Sequence, residues 1–230
     1  MTKPYERNRT KVLHVVEEQT LTNSEAGVLA QSLKRQLLNG VTVEDETFDL
    51  LFPPDVRKFS QVHFTPLLVA KKAAEVLKTM KVERMLDVGS GSGKFCLLAG
   101  LLNGTAVTGV EQRDFLALAA KKAKNALRLE NVNFVAGSAF DLSWKEFDCI
   151  YFYNPFCEQK TPERRMRHDV PLQESLYNTY VQMSLSRLRD QKKGSKVMTY
   201  HGLGGELPDD YSLMYHKAVG SDFLKVWVKN

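Results

Sequence analysis

The sequence predicts an α/β fold, in which a doubly wound and mostly parallel seven-stranded sheet ends in a C-terminal antiparallel hairpin and follows an N-terminal helical extension. Short apolar runs typical of buried strands alternate with segments of helical spacing, and this alternation favours a parallel sheet. The last two strand-like runs are joined by a tight turn, which indicates a hairpin. The 230 residues, of which 43% are apolar and 26% charged, are enough for one large core.

The N-terminal extension is predicted to span residues 1–54. Thr22 and Glu25 have the spacing of a capping box at a helix start. The apolar residues that follow at helical spacing are expected to face the core, up to a stop at residues 39–40. These residues are Leu29, Leu33, Leu37 and Leu38.

The catalytic domain is predicted to span residues 55–230. Pro53 and Pro54 interrupt the chain, and residues 56–64 are a candidate linker. Thr65 is suited to cap the next helix, with Pro66 as its first residue. The seven predicted strands then follow in order, at residues 82–88, 106–110, 131–136, 147–153, 196–200, 211–218 and 223–228.

A glycine-rich turn joins the first predicted strand to a helix over residues 94–102. The strand ends in Asp87 and Val88, and glycines then occupy every second position, at Gly89, Gly91 and Gly93. Glycine permits positive φ angles and lets a ligand approach the backbone closely. The turn therefore predicts a site for a nucleotide-like cofactor.

The spacing of the glycines disfavours two common cofactors. A dinucleotide-binding turn has glycines at the first, third and sixth places, but Lys94 occupies the sixth place here. A phosphate loop ends in Gly-Lys-Ser/Thr, but Phe95 follows Lys94. NAD and ATP are both disfavoured, and an NAD-dependent oxidoreductase is a weak alternative.

A second acid follows at the end of the next predicted strand. Glu111 lies roughly 20 residues beyond the first glycine, where a carboxylate can accept hydrogen bonds from both hydroxyls of a ribose. These motifs together resemble those of class I S-adenosylmethionine-dependent methyltransferases. The resemblance covers residues 59–230 and implies a methyl-transferring enzyme with S-adenosyl-L-methionine as its cofactor.

The resemblance also implies which residues contact the cofactor. Asp87 would bind the methionine ammonium group, directly or through water, and Glu111 would bind the ribose. Thr65 would lie against the methionine end, because residues 63–66 resemble a Phe-x-Thr-Pro-like segment of some nitrogen methyltransferases; His63 is then a possible base or a surface residue. The other implied cofactor contacts of the two turns are Gly89, Ser90, Gly91, Gly93 and Gln112.

The adenine contact departs from the family pattern. The family usually has Gly-Asp-Ala after the third strand, whereas this chain has Gly137, Ser138 and Ala139. Ser138 and Ala139 are the predicted adenine contacts. Asp141, one turn further on, is the alternative hydrogen-bond acceptor.

Asn154, Pro155 and Phe156 follow the fourth predicted strand. They resemble the Asn-Pro-Pro-Tyr/Phe signature of methyltransferases that act on planar amide or amine nitrogens, without its second proline. The resemblance implies that these three residues are catalytic, that Asn154 also lies beside the cofactor, and that the methyl acceptor is a nitrogen atom. The alternative is an ordinary strand end, with Phe156 returning to the core.

The acceptor molecule stays open between protein, nucleic acid and small molecule, and so does the oligomeric state. The formal net charge of +5 permits an anionic partner. A basic cluster after Phe156 would border the acceptor pocket and either select an anionic substrate or form a solvated surface. Its members are Lys160, Arg164, Arg165, Arg167 and His168.

Composition predicts a cytoplasmic protein that does not contact membranes. The sequence has neither an apolar stretch long enough to span a bilayer nor the apolar region of a secretion signal. The three cysteines, Cys96, Cys149 and Cys157, suggest neither disulfides nor a zinc site. No metal is expected. A non-catalytic module that binds a partner through the helical extension and the basic cluster is the alternative to an enzyme.

Overall fold

The computed structural model describes residues 21–160, 165–166 and 172–230. Helices and strands alternate from residue 67 to residue 136, as the sequence predicts. In chain order they are α1 (Asn23–Leu38), α2 (Asp45–Asp49), α3 (Pro54–Arg57), α4 (Ser60–His63), α5 (Leu67–Thr79), β1 (Arg84–Val88), α6 (Lys94–Asn103), β2 (Ala106–Glu111), α7 (Asp114–Leu127), β3 (Val132–Ala136), β4 (Cys149–Tyr153), α8 (Glu174–Arg189), β5 (Lys196–Tyr200), β6 (Tyr211–Val219) and β7 (Asp222–Lys229).

The seven strands form one sheet with the order β3-β2-β1-β4-β5-β7-β6. Strands β1 to β5 pair in parallel, whereas β7 runs antiparallel to both β5 and β6. The predicted α/β class, the mostly parallel sheet and the C-terminal hairpin are therefore confirmed. The strand order reverses between β1 and β4, and at such a switch point the chain leaves a crevice at the carboxyl edge of the sheet.

Alternating side chains of the strands build two cores, one on each face of the sheet. Met85 of β1 joins the core that also contains residues of α1, α5, α6 and α7. Leu86 and Val88 face the opposite core, which contains Trp144 and residues of α8. Burial on both faces explains why the central strands read as nearly continuous apolar runs.

The capping box at the start of α1 is confirmed. Thr22 Oγ1 accepts a hydrogen bond from Glu25 N at 3.3 Å, and the Glu25 carboxylate accepts one from Thr22 N at 2.9 Å. The predicted apolar stripe is wrong at Leu38, which is 55% exposed. Ala30 and Leu33 lie in the core with Leu37, because residues three, four and seven apart share a helix face whereas Leu38 is rotated about 100° from Leu37.

Residues 56–64, the candidate linker, are partly helical and partly buried. They carry the end of α3 and all of α4, and Val56 and Phe64 are buried in the core. Helix α5 begins at Leu67, one residue later than predicted, and its N-terminal cap is not Thr65. Leu67 N instead donates to Asp45 Oδ1 at 3.0 Å, a long-range contact that local sequence does not indicate.

Lys94, the first residue of α6, ties the N-terminal segment to the glycine turn. Its ammonium group is buried and pairs with the carboxylates of Asp45 and Asp49, the latter at 2.7 Å. It also donates to Ser60 Oγ at 3.1 Å. Burial raises the pKa of Asp49, and the charge of Lys94 counteracts that effect. The domain boundary at residue 54 stays a prediction.

The helices within the described ranges include none that is both long and apolar enough to cross a membrane.

Replacing Lys94 by Met should destabilise the protein by about 3–5 kcal/mol, because it leaves the buried Asp49 carboxylate without its cation. Urea unfolding measures this loss. The double variant Lys94→Met/Asp49→Asn should recover part of the loss, since it removes the uncompensated charge.

Lys72→Met is the matched control, because the Lys72–Glu75 pair is largely exposed, at 37% and 66% of the two side chains. Its unfolding midpoint should stay close to that of the wild type. Equal effects of the two lysine substitutions would contradict the role of Lys94.

Candidate functional site

A cavity of about 500 Å³ lies at the carboxyl edge of the sheet. The ends of β1, β2, β4 and β5 and the segments that follow them supply most of its wall. It therefore occupies the crevice that the reversal of strand order between β1 and β4 creates.

The turn after β1 forms one side of the cavity. Gly89 and Gly91 line it and have φ angles of 74° and 56°, which favour glycine. A Cβ atom on Gly89 would lie 2.8 Å from Cβ of Pro155, and one on Gly91 would lie 3.3 Å from the ring of Phe64. Glycine thus allows the turn to pass close to both neighbours and leaves its backbone open to a ligand.

Glu111 joins the turns after β1 and β2. Its Oε2 accepts a hydrogen bond from Gly91 N at 3.0 Å, and its Oε1 accepts one from Arg113 N at 2.9 Å. Burial raises the pKa of this carboxyl group, while the Arg113 backbone and charge counteract the rise. Each carboxylate oxygen can accept a further bond, so Glu111, which lines the cavity, keeps the capacity to bind hydroxyl groups.

A buried ion pair connects this region to the segment after β4. Arg113 Nη2 lies 2.5 Å from Glu158 Oε2, and Glu158 Oε1 accepts a bond from Met166 N at 2.9 Å. Arg113, Glu158 and Met166 all line the cavity. The sequence carries no local signal for this pair, because its members lie 45 residues apart.

The segment after β3 contributes Gly137, Ser138, Ala139 and Phe140 to the lining. Ser138 Oγ accepts a bond from Phe140 N at 3.2 Å, which fixes the turn. The described lining contains Ser138 and not the alternative acceptor, Asp141. Gln112, after β2, also lines the cavity.

Asn154, Pro155 and Phe156 all line the cavity, and Pro155 lies against Gly89 of the glycine turn. Asn154 has a φ angle of 42°, a conformation that Asn tolerates better than most residues, and its N donates to Gly202 O at 3.0 Å. The ring of Phe156 packs on those of Phe140 and Tyr180, with centroids 6.3 and 5.4 Å away. Phe156 thus contacts other aromatic rings and also faces the cavity.

Four predicted cofactor contacts lie outside the described lining. Ser90 packs beside Gly109, Gly93 beside Phe134, and Thr65 Oγ1 lies 3.3 Å from the hydroxyl of Tyr151. The fourth, Asp87, precedes the lining residue Val88 and is 3% exposed.

The Asp87 carboxyl group has a perturbed environment. Burial raises its pKa to about 7, although a hydrogen bond from Cys96 Sγ at 3.1 Å acts in the opposite direction. An ionised Asp87 would therefore be stabilised by a nearby cation.

The segment before α5 contributes to the described lining of the cavity, whereas Lys160 of the basic cluster does not. His63 and Phe64 line the cavity, so the segment before α5 forms part of its wall. Lys160 instead places its ammonium group 4.0 Å from the centre of the Tyr177 ring. Three members of the cluster, Arg164, Arg167 and His168, lie outside the described residues.

His201 is a further lining residue that the sequence patterns above do not single out. It directly follows β5 and has a φ angle of 60°. Ligands in open α/β sheets bind at the carboxyl ends of the strands. The position of His201 directly after a predicted parallel strand could therefore have indicated a site residue from the sequence.

Comparison with protein families identifies the chain. The model of a family described as a methyltransferase domain matches residues 79–218, more than half of the sequence. No curated protein sequence matches significantly.

Several solved structures share the fold. An O-methyltransferase from Bacillus cereus in complex with S-adenosylhomocysteine is 13% identical, with 86% of this chain and 97% of that chain covered and a TM-score of 0.54. An RNA methyltransferase from Salinibacter ruber, also with S-adenosylhomocysteine, is 20% identical, with coverages of 72% and 92% and a TM-score of 0.50. TrmN from Thermus thermophilus is 21% identical, with coverages of 76% and 53% and a TM-score of 0.52.

The family match is based on the sequence, and the similar solved structures show that the fold is also shared. The sheet order, the glycine turn and the cavity at the strand switch point agree with both. The chain therefore belongs to the class I S-adenosylmethionine-dependent methyltransferases and is an enzyme of that family.

Proposed function

We propose that the enzyme transfers the methyl group of S-adenosylmethionine to a nitrogen atom held beside Asn154, Pro155 and Phe156. The observation that carries this proposal is that Asn154, directly after β4, lines the same cavity as Glu111 and the glycine turn, with Pro155 and Phe156 beside it. Pro155 packs against Gly89 of the glycine turn. The proposed acceptor residues and the proposed cofactor residues are therefore in direct contact.

The cavity fits a nucleoside cofactor. Glu111 offers acceptor positions for two ribose hydroxyls, and the proposed adenine contacts, Ser138 and Ala139, line the same cavity. Gly89, Gly91 and Gln112 are the other proposed cofactor contacts that line the cavity. The proposed contact of Asp87 with the methionine ammonium group runs through water, because Asp87 lies behind the lining.

The bound cofactor supplies a methyl group on a positively charged sulfur, which is already reactive toward a lone pair. The chain then has mainly to position the acceptor. Asn154 can accept a hydrogen bond from an N–H of the acceptor through its side-chain oxygen and thereby orient the nitrogen lone pair. Phe156 offers an aromatic surface next to Asn154, on which the acceptor can pack.

The proposed nitrogen atom does not by itself define the class of molecule that carries it. Two of the structural neighbours are named for RNA and for oxygen acceptors, and the proposed nitrogen is compatible with protein, nucleic acid or small molecules. Lys160, the described cluster member beside Tyr177, does not contribute to the described lining. A cytoplasmic location stays a prediction, supported by three cysteines that form no disulfide with one another.

Replacing Glu111 by Gln should weaken binding of S-adenosylhomocysteine by about 1.5–3 kcal/mol, because the amide loses charge and presents a donor to a backbone N–H. Isothermal calorimetry measures the affinity. Glu130→Gln, at an exposed glutamate, is the control and should bind normally. Unchanged affinity in Glu111→Gln would show that the ribose lies elsewhere.

The affinity for S-adenosylhomocysteine should rise by about tenfold between pH 6 and pH 8. The pKa of Asp87 is raised to about 7 in the free protein, so the carboxylate that attracts the ammonium group is mostly absent at pH 6 and mostly present at pH 8. Calorimetry at both pH values tests this expectation.

The variant Asp87→Asn isolates this effect from the titration of Glu111, whose pKa is also raised by burial. It should bind weakly, and any pH dependence that it keeps is the contribution of Glu111. A wild-type affinity that is equal at pH 6 and pH 8 would refute the role of Asp87.

Replacing Asn154 by Gly should lower methyl transfer by about 100-fold, since glycine keeps the positive φ angle and removes the orienting amide. Transfer is measured as tritium from labelled S-adenosylmethionine in the RNA, protein and small-molecule fractions of a cell lysate. Cofactor affinity should stay within about twofold. Full activity in Asn154→Gly would overturn the proposed role of this residue.

A further inference from the structure

A histidine–carboxylate pair lies next to the proposed acceptor residues. Nδ1 of His201 is 2.6 Å from Oδ2 of Asp222, and the two side chains are 35% and 33% exposed. The rings of Tyr153 and Tyr200 pack edge-on against the imidazole, with centroids 5.3 and 4.4 Å away. These contacts hold the imidazole on two sides while part of it stays accessible.

The position of Asp222 is itself fixed. Its Oδ1 accepts a bond from Phe223 N at 2.7 Å, and its own N donates to the hydroxyl of Tyr200 at 3.1 Å. That hydroxyl donates to Val219 O at 2.7 Å. Tyr200 directly precedes His201. The hydrogen bonds of its hydroxyl group therefore connect the end of β5, where His201 lies, to the turn between β6 and β7, next to Asp222.

The pairing determines which nitrogen of His201 carries a proton. An ionised carboxylate only accepts hydrogen bonds, so Nδ1 must be the donor to Asp222. In a neutral imidazole the lone pair is then on Nε2. This is the arrangement of a general base that a carboxylate orients.

His201 lies in the wall between two cavities. It lines the cofactor cavity together with Asn154, and it also lines a second cavity of about 600 Å³. Asn154 and His201 end neighbouring strands, and both have positive φ angles, at 42° and 60°. Strained backbone of this kind is concentrated at functional sites.

The lining of the second cavity favours a cationic ligand. Three carboxylates, of Glu206, Asp209 and Asp222, line it against one lysine, Lys225. Apolar and aromatic side chains complete the surface, among them Leu203, Leu207, Tyr211, Phe223 and Trp227. Such a surface suits an aliphatic amine attached to an apolar or aromatic body.

We propose that a small amine is the methyl acceptor, with its apolar body in the second cavity and its nitrogen at His201, on the side that faces Asn154 and the cofactor cavity, and that His201, oriented by Asp222, is the general base that takes its proton. This inference rests on the proposed nitrogen methylation. It adds the class of acceptor and a catalytic residue, and it gives Asp222 the role of a positioning residue.

The proton transfer balances as follows. Nε2 of His201 takes one proton from the acceptor ammonium group and becomes positively charged, which leaves a lone pair on the acceptor nitrogen. That lone pair forms the new N–C bond as the C–S bond breaks and its electron pair stays on sulfur. His201 then returns its proton to water, so one proton is released in each turnover, while the methylated amine leaves as a cation.

The test uses the full-length protein saturated with S-adenosylhomocysteine and the probe 2-phenylethylamine. Imidazole ¹⁵N NMR should show His201 with the proton on Nδ1 and a bare Nε2 whose resonance shifts on addition of the amine. 2-Phenylethanol and 3-phenylpropionate should bind at least about tenfold more weakly, because they lack the cation that the carboxylates attract. A proton on Nε2, or equal binding of the three probes, would overturn the proposal.

Two variants separate the roles of the pair. His201→Asn removes the imidazole, and Asn tolerates the left-handed backbone, so the fold should be kept. With S-adenosylmethionine and 2-phenylethylamine, it should lower kcat by about 100-fold or more with little change in KM, and added imidazole should restore part of the rate. Asp222→Asn should reverse the histidine tautomer, because an amide can donate to Nδ1.

His216→Asn is the matched control, because His216 lies on β6 and is not a lining residue of either described cavity. It should change neither kcat nor the NMR response. Failure of the wild type to bind S-adenosylhomocysteine would defeat the proposed function as a whole. Normal cofactor binding without methylation of bound 2-phenylethylamine, or full activity in His201→Asn, would defeat only the present inference.

Discussion

The geometry of the cofactor cavity depends on one buried carboxylate. Glu111 accepts backbone hydrogen bonds from the turns after β1 and β2, at Gly91 and Arg113. The Arg113 side chain continues this connection to Glu158, which holds the backbone at Met166. A carboxylate buried without such partners would be strongly unfavourable. The same contacts that satisfy Glu111 therefore fix the relative positions of three segments that surround the ligand.

Local sequence patterns were sufficient for most of the fold. The strands were predicted to within a few residues, because buried parallel strands are short apolar runs that turns delimit. The errors fell in the N-terminal segment, at Leu38 and at the cap of α5. There the outcome depends on contacts between distant parts of the chain, such as Asp45 with Leu67 and Lys94 with Asp49, and a local pattern does not contain them.

The candidate site likewise contains residues that local sequence patterns predict and residues that only long-range contacts bring to it. Gly89, Gly91, Glu111, Ser138 and Asn154 were predicted from motifs at strand ends, and the structure brings them to one cavity. The pair of Arg113 and Glu158 has no signal in the sequence. His201 had one, since it follows a parallel strand, but its partner Asp222 reaches it only through the fold of the terminal hairpin.

The burial of Lys94 bears on cofactor choice in a further way. The N-terminus of a helix after a glycine turn normally attracts phosphate groups. Lys94 is the first residue of α6, and its ammonium group pairs with the carboxylates of Asp45 and Asp49. Glu111 adds another carboxylate on the cavity side. These three carboxylates outnumber the one ammonium group of Lys94, so the local charge disfavours a phosphorylated nucleotide and favours a nucleoside with a positively charged tail.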